Sequence, residues 1–410
     1  MTLLSFQIYL RRINSPVWRI LIHSILFGLA ISIADLLFNF YLVSLGYGAD
    51  TVGLLSTVSR LAGVFFGIPM GMLIDRFDAR QATVWALVIY CLGWGFMLLS
   101  RSLWALILAQ SIIGAAFLSA TMALVPLLAS VTNDDERADV FGLNASATLM
   151  IGLVGSIVGG MLPLLVARLL GSDPQATVAY RFALLSVISL SLLAMLPLRG
   201  RFTVVPEQAL AATVHAKSQA LPLRSILRLV SSGLFLGIGG GAIIPFQNLF
   251  FRDVFGLPDA AVGIVFALGC LGMGLGALLG PFVCKALGMQ RGAALLRFAA
   301  IIGLLCMLAP MLSLAIAGVF LRGLFLAASF PMNDALIMRH TPFLQRGLAM
   351  SMLSVLWAAG WALSALVCGM LQVHWGFTPL IIIAAAAFSL SAWFILSLRL
   401  VISKGCDWNL

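Results

Sequence analysis

The sequence predicts an all-α membrane protein with twelve transmembrane helices, and three observations lead to this fold class. First, 62% of the 410 residues are hydrophobic and 9% are charged, with a mean hydropathy of +1.11, whereas a soluble domain has about 25% charged residues. Second, the apolar residues form continuous runs of the length that a membrane-crossing helix needs, about 20 residues. Third, these runs lack the alternation of transmembrane β-strands. A soluble enzyme and a disordered chain are therefore excluded.

Twelve apolar runs follow one another along the chain and give the predicted helices in order. They cover residues 17–45, 51–74, 81–99, 103–130, 139–167, 178–198, 226–251, 258–283, 292–309, 313–338, 347–371 and 377–398. The longest polar stretch lies between the sixth and seventh runs. We therefore expect a six-helix bundle over residues 1–198, a linker over 199–225 and a second six-helix bundle over 226–410.

The two halves repeat each other with an offset of 209 residues. The pairs Asn39/Asn248, Gly63/Gly272 and Arg137/Arg346 keep this offset, together with several further glycines. Six helices in each half is an even number, so both copies cross the membrane in the same direction. The sequence thus predicts a parallel repeat with a pseudo-twofold axis along the membrane normal.

The distribution of lysine and arginine predicts the orientation. With both termini on the cytoplasmic side, 18 of the 24 basic residues fall at cytoplasmic helix ends and loops, Arg297 among them, and four fall outside. Cytoplasmic loops carry the excess of basic residues in membrane proteins. We expect a multi-pass protein of the plasma (bacterial inner) membrane, with both termini cytoplasmic.

The loop after the second run carries a recognisable motif. Residues 71–80 resemble the loop signature G-x-x-x-D-R/K-x-G-R-R/K of the major facilitator superfamily, although Asp78 and Ala79 replace two of its positions. In the second half, Lys285 matches the motif and Cys284 stands in place of its aspartate. The matching residues of the first half are Gly71, Asp75, Arg76 and Arg80. The resemblance implies a fold of two bundles that work by alternating access, with a latch at this loop.

The latch implied by the resemblance would hold the cytoplasmic side shut, with Asp75 pairing with Arg80 or Arg137. The alternative is that these charges only set the topology. Asp334 and Arg339 flank the inner end of the tenth run and are expected to act at the same gate.

Two further elements are similar to those of drug–proton antiporters. Residues 155–160 are similar to their G-P-x-x-G-G element, with Ser156 in place of proline. Residues 110–114 are similar to their R-x-x-Q-G element, with Gln110 in place of arginine. Glycine-mediated helix packing explains the glycines equally well.

Three ionisable residues stand deep in the predicted spans: Asp35, Arg60 and Arg322. At 1.5 Å per residue, all three lie about 14–15 Å below the outer surface. Such residues are costly in a membrane and mark functional sites by default. Asp35 and Arg60 lie on adjacent helices and could form an ion pair, either as simple neutralisation or as a site where Asp35 exchanges a proton or binds a cation. Arg322 could bind an anion, bridge to Asp35 or bond backbone carbonyls.

Polar and aromatic neighbours could complete a pocket, although each alone is better explained as a helix-packing or lipid-facing residue. They are Asn39, Gln110, Asn144, Gln247, Asn248, Phe246, Trp357 and Trp361. Asn39 and Asn248 are the best supported because they occupy equivalent positions of the repeat.

The function expected from these features is secondary active transport of a small solute, driven by protons and directed outward. The alternatives are a uniporter or symporter for an organic anion bound by the intramembrane arginines, and a membrane sensor that transports nothing. The sequence has neither a phosphate-binding loop nor metal-ligand spacing. We therefore expect a protein that is not an enzyme and that needs no cofactor, metal or nucleic acid. We also expect it to be a monomer.

Overall fold

The structure is a computed structural model that describes residues 14–74, 78–200, 221–342 and 345–402, and the structural statements below concern these residues. Their regular secondary structure is helical. The first half contains α1 (Ser15–Ser44), α2 (Ala49–Ile74), α3 (Ala79–Leu99), α4 (Leu103–Ser130), α5 (Asp134–Leu170) and α6 (Thr177–Met195). The second half contains α7a (Leu223–Ile243), α7b (Gln247–Phe255), α8 (Asp259–Leu287), α9 (Met289–Leu308), α10 (Leu312–His340), α11 (Arg346–Trp375) and α12 (Thr378–Ile402).

The predicted fold class is confirmed. In the described part of the chain, eleven helical segments, one of them α7a and α7b together, are long and apolar enough to cross a membrane. A twelfth helix, α2, has 26 residues, about 39 Å at 1.5 Å per residue. The seventh span differs from the prediction because a short 3-10 turn, Ile244–Phe246, separates its two parts. The turn contains Pro245, whose nitrogen cannot donate a helical hydrogen bond.

The helices pack as two bundles that repeat each other. Within the first bundle α1 packs on α5 and α6, α4 packs on α2 and α3, and α3 packs on α6. Each of these contacts recurs six helices later, where α7a packs on α11 and α12, α10 packs on α8 and α9, and α9 packs on α12. The parallel repeat expected from the 209-residue offset is therefore present in the three-dimensional packing.

The two bundles meet along two equivalent helix pairs, α2 with α11 and α5 with α8. In the first pair Gly369 faces Gly53, and a Cβ built on Gly369 would lie 3.2 Å from the Gly53 Cα. In the second pair the Cβ built on Gly160 would lie 3.1 Å from the Gly263 Cα. Small residues let helix backbones approach closely in a membrane, where no hydrophobic force drives helices together.

These close contacts lie at one end of the molecule. We call this the far end, and we call the opposite end, where α6 finishes and α7a begins, the linker end. At the linker end Arg19 Nε donates a hydrogen bond to the Pro197 carbonyl at 2.7 Å, within the first bundle. Nearer that end, Val140 is the one buried residue of α5 between positions 139 and 150, so this stretch of the interface helix is exposed on more than one face. The interface is thus closed at the far end and open toward the linker end.

Candidate functional site

An asparagine pair ties the bundles together on the far side of their interface. Asn39 of α1 donates from Nδ2 to Oδ1 of Asn248 of α7b at 2.7 Å. Asn39 Nδ2 also donates to the carbonyl of Pro245 at 2.5 Å, and Asn248 Nδ2 donates to the carbonyl of Leu36 at 2.9 Å. The last two bonds are copies of each other, because Pro245 and Leu36 are also 209 residues apart. Equivalent residues can touch only where the pseudo-twofold axis passes between them, so the pair marks that axis.

A second polar contact joins the bundles nearer the far end, and sequence reasoning missed it. Tyr180 of α6 donates from its hydroxyl to Oδ2 of Asp259 of α8 at 2.6 Å. Arg252 lies 4.0 Å from the other oxygen of Asp259, and its guanidinium stacks on the ring of Phe40 at 4.9 Å from the centroid. Tyr180 and Phe40 belong to one bundle, while Asp259 and Arg252 belong to the other, so the cluster strengthens the far-end closure.

Asp35 lies one helical turn from Asn39 toward the linker end, about 6 Å along α1. Its side chain is exposed, whereas its neighbours Ala34 and Leu36 are buried. Asp35 interacts electrostatically with Arg60 of its own bundle and with Cys270 of the other bundle. Its carboxylate is therefore open to the space between the bundles, near the middle of the predicted membrane.

Arg60 is held by two tryptophans of the opposite bundle. Its guanidinium carbon lies 4.6 Å from the ring centroid of Trp361 and 5.0 Å from that of Trp357, both on α11. Such cation–π contacts stabilise by about 0.5–2 kcal/mol, depending on desolvation. Among the described residues, no carboxylate oxygen lies within 4.0 Å of Arg60. The ion pair with Asp35 that the sequence suggested is thus absent from this conformation.

Glycines on α7a make room for this tryptophan pair. A Cβ on Gly240 would lie 2.9 Å from the Trp361 ring, and Gly237 and Gly241 press against the backbones of Trp357 and Trp361. The indole nitrogen of Trp361 points across the interface at the Ser56 hydroxyl, 3.4 Å away. The tryptophans therefore pack closely between α7a and α2, whereas the sequence indicates them only as neighbours of a pocket.

Arg322 is buried, with 7% of its surface exposed, and its Nη2 donates to Oε1 of Gln247 on α7b. Its Nε has no partner within the described structure. Gln110 of α4 is buried as well, and its Oε1 lacks a partner among the same residues. The structure thus places Arg322 with a side-chain amide of its own bundle, an arrangement that the sequence alternatives did not include.

The described residues among those expected at the cytoplasmic gate lie at the linker end. Arg80 pairs with Asp78 at 3.5 Å and donates to the carbonyls of Leu198 and Gly200, which ties α3 to the end of α6. Gly71 lies in the last turn of α2. Asp75 and Arg76 lie outside the described residues. Arg137 and Arg339 are exposed near the linker-end termini of α5 and α10, and Asp334 is half-buried on α10.

The sequence predicts Arg297 among the charges at cytoplasmic helix ends, and this prediction is wrong. The residue lies inside α9 with none of its surface exposed, and its Nη1 contacts Ser391 Oγ of α12 at 2.5 Å. Arg297 lies eight residues, or about 12 Å, from the start of α9. This depth is the sequence feature that could have identified it as an intramembrane residue.

Two bundles of apolar helices, each long enough to cross a membrane, define a polytopic integral membrane protein. The chain belongs to the major facilitator superfamily, since the sequence pattern of that family matches residues 20–313. It is therefore a multi-pass membrane protein with the two-bundle architecture of that superfamily.

Two curated bacterial relatives are similar to the chain. An uncharacterized transporter of the same superfamily from Bacillus subtilis (strain 168), YxaM, is 23% identical over 264 residues, 60% of this chain and 61% of that protein. An uncharacterized transporter from Buchnera aphidicola subsp. Schizaphis graminum (strain Sg) is 25% identical over 126 residues, 30% of this chain and 32% of that protein. The matched segments thus span less than two thirds of either relative.

Solved structures share the fold at low identity. A bacterial homologue of the iron transporter ferroportin in an inward-facing state has a TM-score of 0.74 at 15% identity and covers 97% of this chain and 99% of that one. The nucleoside transporter NupG has a TM-score of 0.71 at 13% identity and covers 97% of this chain and 100% of that one. A bacterial homologue of the human lysosomal transporter Spinster, inward-facing and occupied, has a TM-score of 0.69 at 15% identity and covers 96% of this chain and 98% of that one. These likenesses concern the fold alone.

The asparagine pair makes a prediction about the far-end closure. Asn248→Ala removes its bonds to Asn39 and Leu36, and a lost buried hydrogen bond costs about 1–3 kcal/mol when a partner is left unpaired. We expect a cysteine introduced at the buried Thr51 to react with a membrane-impermeant maleimide about fivefold or more faster in Asn248→Ala than in the protein that keeps Asn248. Asn133→Ala, at an exposed position, is the matched control. Equal labelling rates in all three proteins would show that the pair does not hold the closure.

Proposed function

We propose that the chain is a proton-coupled exporter of a small organic cation, placed in the plasma membrane with its linker end toward the cytoplasm. The observation that carries this proposal is the position of Asp35, whose carboxylate is exposed between the bundles next to the pseudo-twofold axis. The excess of basic residues at the linker end supports the orientation. In this orientation the conformation described above is open to the cytoplasm.

Coupling in this proposal works through Arg60. When Asp35 is protonated it does not attract the guanidinium, and Arg60 stays on Trp357 and Trp361 across the interface. When Asp35 is ionised it competes for Arg60, since opposite charges attract strongly where water is scarce. The protonation state of Asp35 thereby determines whether Arg60 of α2 keeps its contact with the tryptophans of α11. A cationic solute that pairs with Asp35 would also remove its attraction for Arg60, so the solute and the proton compete for one carboxylate.

Two segments of the first bundle support the outward direction of transport. The segments 110–114 and 155–160 are partly similar to elements of drug–proton antiporters. The second of them includes Gly160, which packs against α8 at the far end. Competition between solute and proton for Asp35 is what an antiporter requires, because the two ligands must cross in opposite directions.

A second candidate is a carrier of organic anions, and Arg322 favours it. The Arg322 Nε is buried and without a partner among the described residues, and the other end of its guanidinium is held by Gln247. A carboxylate or phosphate arriving from the cavity could satisfy that N–H, since guanidinium binds such groups well. In that case Arg322→Ala should abolish the stabilisation by an anion, whereas Arg339→Ala, at an exposed position of the same helix, should leave it unchanged.

Ligand-induced thermal stabilisation of the purified protein tests both candidates. The probes are tetraphenylphosphonium and ethidium as cations, and salicylate and glucose 6-phosphate as anions. A ligand at 100 times its Kd stabilises the folded state by about 2.7 kcal/mol. We expect stabilisation by a cation that is lost in Asp35→Asn and kept in Asp50→Asn, whose side chain is exposed at the far end. Stabilisation by anions alone, lost in Arg322→Ala, would replace the cation proposal with the anion carrier.

A further inference from the structure

A buried polar network crosses the second bundle nearer the linker end, away from Asp35. Arg297 Nη1 donates to Ser391 Oγ, and the Ser391 hydroxyl donates to the Ser232 carbonyl at 2.6 Å. The Ser232 hydroxyl donates to Asn333 Oδ1 at 3.2 Å, and Asn333 Nδ2 donates to Asp334 Oδ1 at 3.4 Å. The network joins α7a, α9, α10 and α12 inside an apolar cluster that includes Leu296, Met332 and Ile395.

The arginine of this network is incompletely satisfied. Arg297 is 0% exposed, and its Nε and Nη2 have no partner in the described structure. A buried charge is costly unless it is paired, so Arg297 requires a carboxylate. The sequence from residue 226 to 410 contains four acidic residues: Asp253, Asp259, Asp334 and Asp407. The first two lie at the far end, and Asp407 lies outside the described residues.

Among the described carboxylates of this bundle, Asp334 is the one that can pair with Arg297. The two side chains interact electrostatically, although no lysine or arginine nitrogen of the described residues lies within 4.0 Å of Asp334. Asp334 is half-buried, whereas Arg297 is completely buried. A solute cannot reach the arginine in this conformation, but a proton from water at the open linker end can reach the aspartate.

Other ionisable groups surround the linker-end half of α10. They are Cys284 and Lys285 on α8, Arg291 and Arg297 on α9, Arg346 on α11, Arg224 and Arg228 on α7a, and Arg339 and His340 on α10 itself. His340 Nδ1 contacts the Leu336 carbonyl at 2.8 Å, within its own helix. Among the described residues, Arg297 is the charged group that interacts with Asp334.

We infer that Asp334 is a second proton-binding site of the protein, located in the second bundle and positioned by Arg297 through the Ser391–Ser232–Asn333 network. The step is the binding of one proton to the Asp334 carboxylate from water at the linker end, which yields the neutral acid. In the ionised state the carboxylate can close on Arg297 and satisfy its free N–H groups. In the protonated state it cannot, and Arg297 keeps only the Ser391 bond. The site is separate from the Asp35 site and does not depend on the identity of the solute.

Infrared difference spectroscopy of the purified protein, recorded over a pH titration, tests this inference without a transport substrate. The carbonyl band of a protonated carboxyl group reports each titrating acid. We expect one component of the band to be lost in Asp334→Asn. In Arg297→Gln the midpoint of that component should move to higher pH by about 1–3 units, since a nearby opposite charge favours the ionised carboxylate by that amount. Arg297→Lys should keep the midpoint within about one unit of the native protein.

The controls separate this site from the other acids. Asp50→Asn should leave the component unchanged, and Asp35→Asn should remove a different one. A component that survives in Asp334→Asn, or a midpoint that does not move in Arg297→Gln, would overturn the inference. If Arg297→Gln is folded but not stable enough for the pH titration, thermal unfolding of both single variants and of the double variant Asp334→Asn/Arg297→Gln is compared at one pH. A loss of Tm smaller than the sum for the single variants supports the pairing, and an additive loss contradicts it.

Discussion

Asp35→Asn should reduce proton-coupled flux in proteoliposomes to the level of protein-free liposomes, while the protein stays folded. The substrate is the cation with the largest thermal stabilisation, and a pH gradient drives the flux. Asparagine has nearly the size of aspartate but neither ionises nor binds a proton near neutral pH. Because Asp35 is exposed between the bundles rather than packed in the core, its replacement should leave the Tm within about 2 °C of the native protein, as expected for a substitution worth less than about 0.5 kcal/mol.

Asp50→Asn is the matched control for this experiment. Asp50 lies in the first turn of α2 and is exposed, so the same change of charge occurs away from the space between the bundles. Flux in this variant should equal that of the native protein. Full proton-coupled flux in Asp35→Asn would show that the coupling proton binds elsewhere.

Gly160→Leu should have the second large effect, because it prevents the far ends from closing. The Gly160 Cβ position is 2.7 Å from the Asp259 carbonyl oxygen and 3.1 Å from the Gly263 Cα. A leucine there would push α5 away from α8, and an inserted side chain in a tight contact costs about 1–3 kcal/mol. We expect the cysteine at Thr51 to become about tenfold more reactive from the far side, and transport turnover to fall by a similar factor.

Gly142→Leu on the same helix is the control, since nothing lies within 4 Å of its Cβ position. Gly369→Leu, at the equivalent position of the second helix pair, should reproduce the effect of Gly160→Leu. If both variants label at the native rate, the glycine contacts do not set the far-end closure.

The fold was predictable from the sequence because its main constraint is local. A membrane-crossing helix needs a continuous apolar run, and each run can be located without knowledge of its neighbours. The repeat was also visible, since Asn39/Asn248 and Gly160/Gly369 keep one offset. The break at Pro245 was not predicted, because prolines such as Pro163 and Pro281 lie inside unbroken helices of the same protein.

The candidate site was predictable only in part. The depth of Asp35, Arg60 and Arg322 follows from counting residues along a helix, but their partners depend on side-chain direction. Arg60 lies over two tryptophans more than 290 residues away in sequence, and Arg322 bonds Gln247. No local pattern distinguishes these partners from the acid that was expected.

Arg297 shows the limit of counting charges. It lies close enough to the end of α9 to be read as a topology signal, and the four-helix network that encloses it is formed by residues from separate parts of the chain. The residues next to Arg297 in the sequence do not indicate which side chains of α7a, α10 and α12 will surround it.

The central claim is that the two bundles rock about the axis marked by Asn39 and Asn248, so that one end opens as the other closes. Pulsed electron-spin distance measurements test it most directly, with label pairs at Gln175 and Met311 for the far end and at Asn133 and Ala286 for the linker end, all exposed. The samples are the purified protein at low and high pH, with and without the stabilising cation. We predict that, between these samples, a longer far-end distance always accompanies a shorter linker-end distance. These opposing changes should be lost in Asp35→Asn. Distances that stay fixed, or that change in the same direction at both ends, would contradict the account.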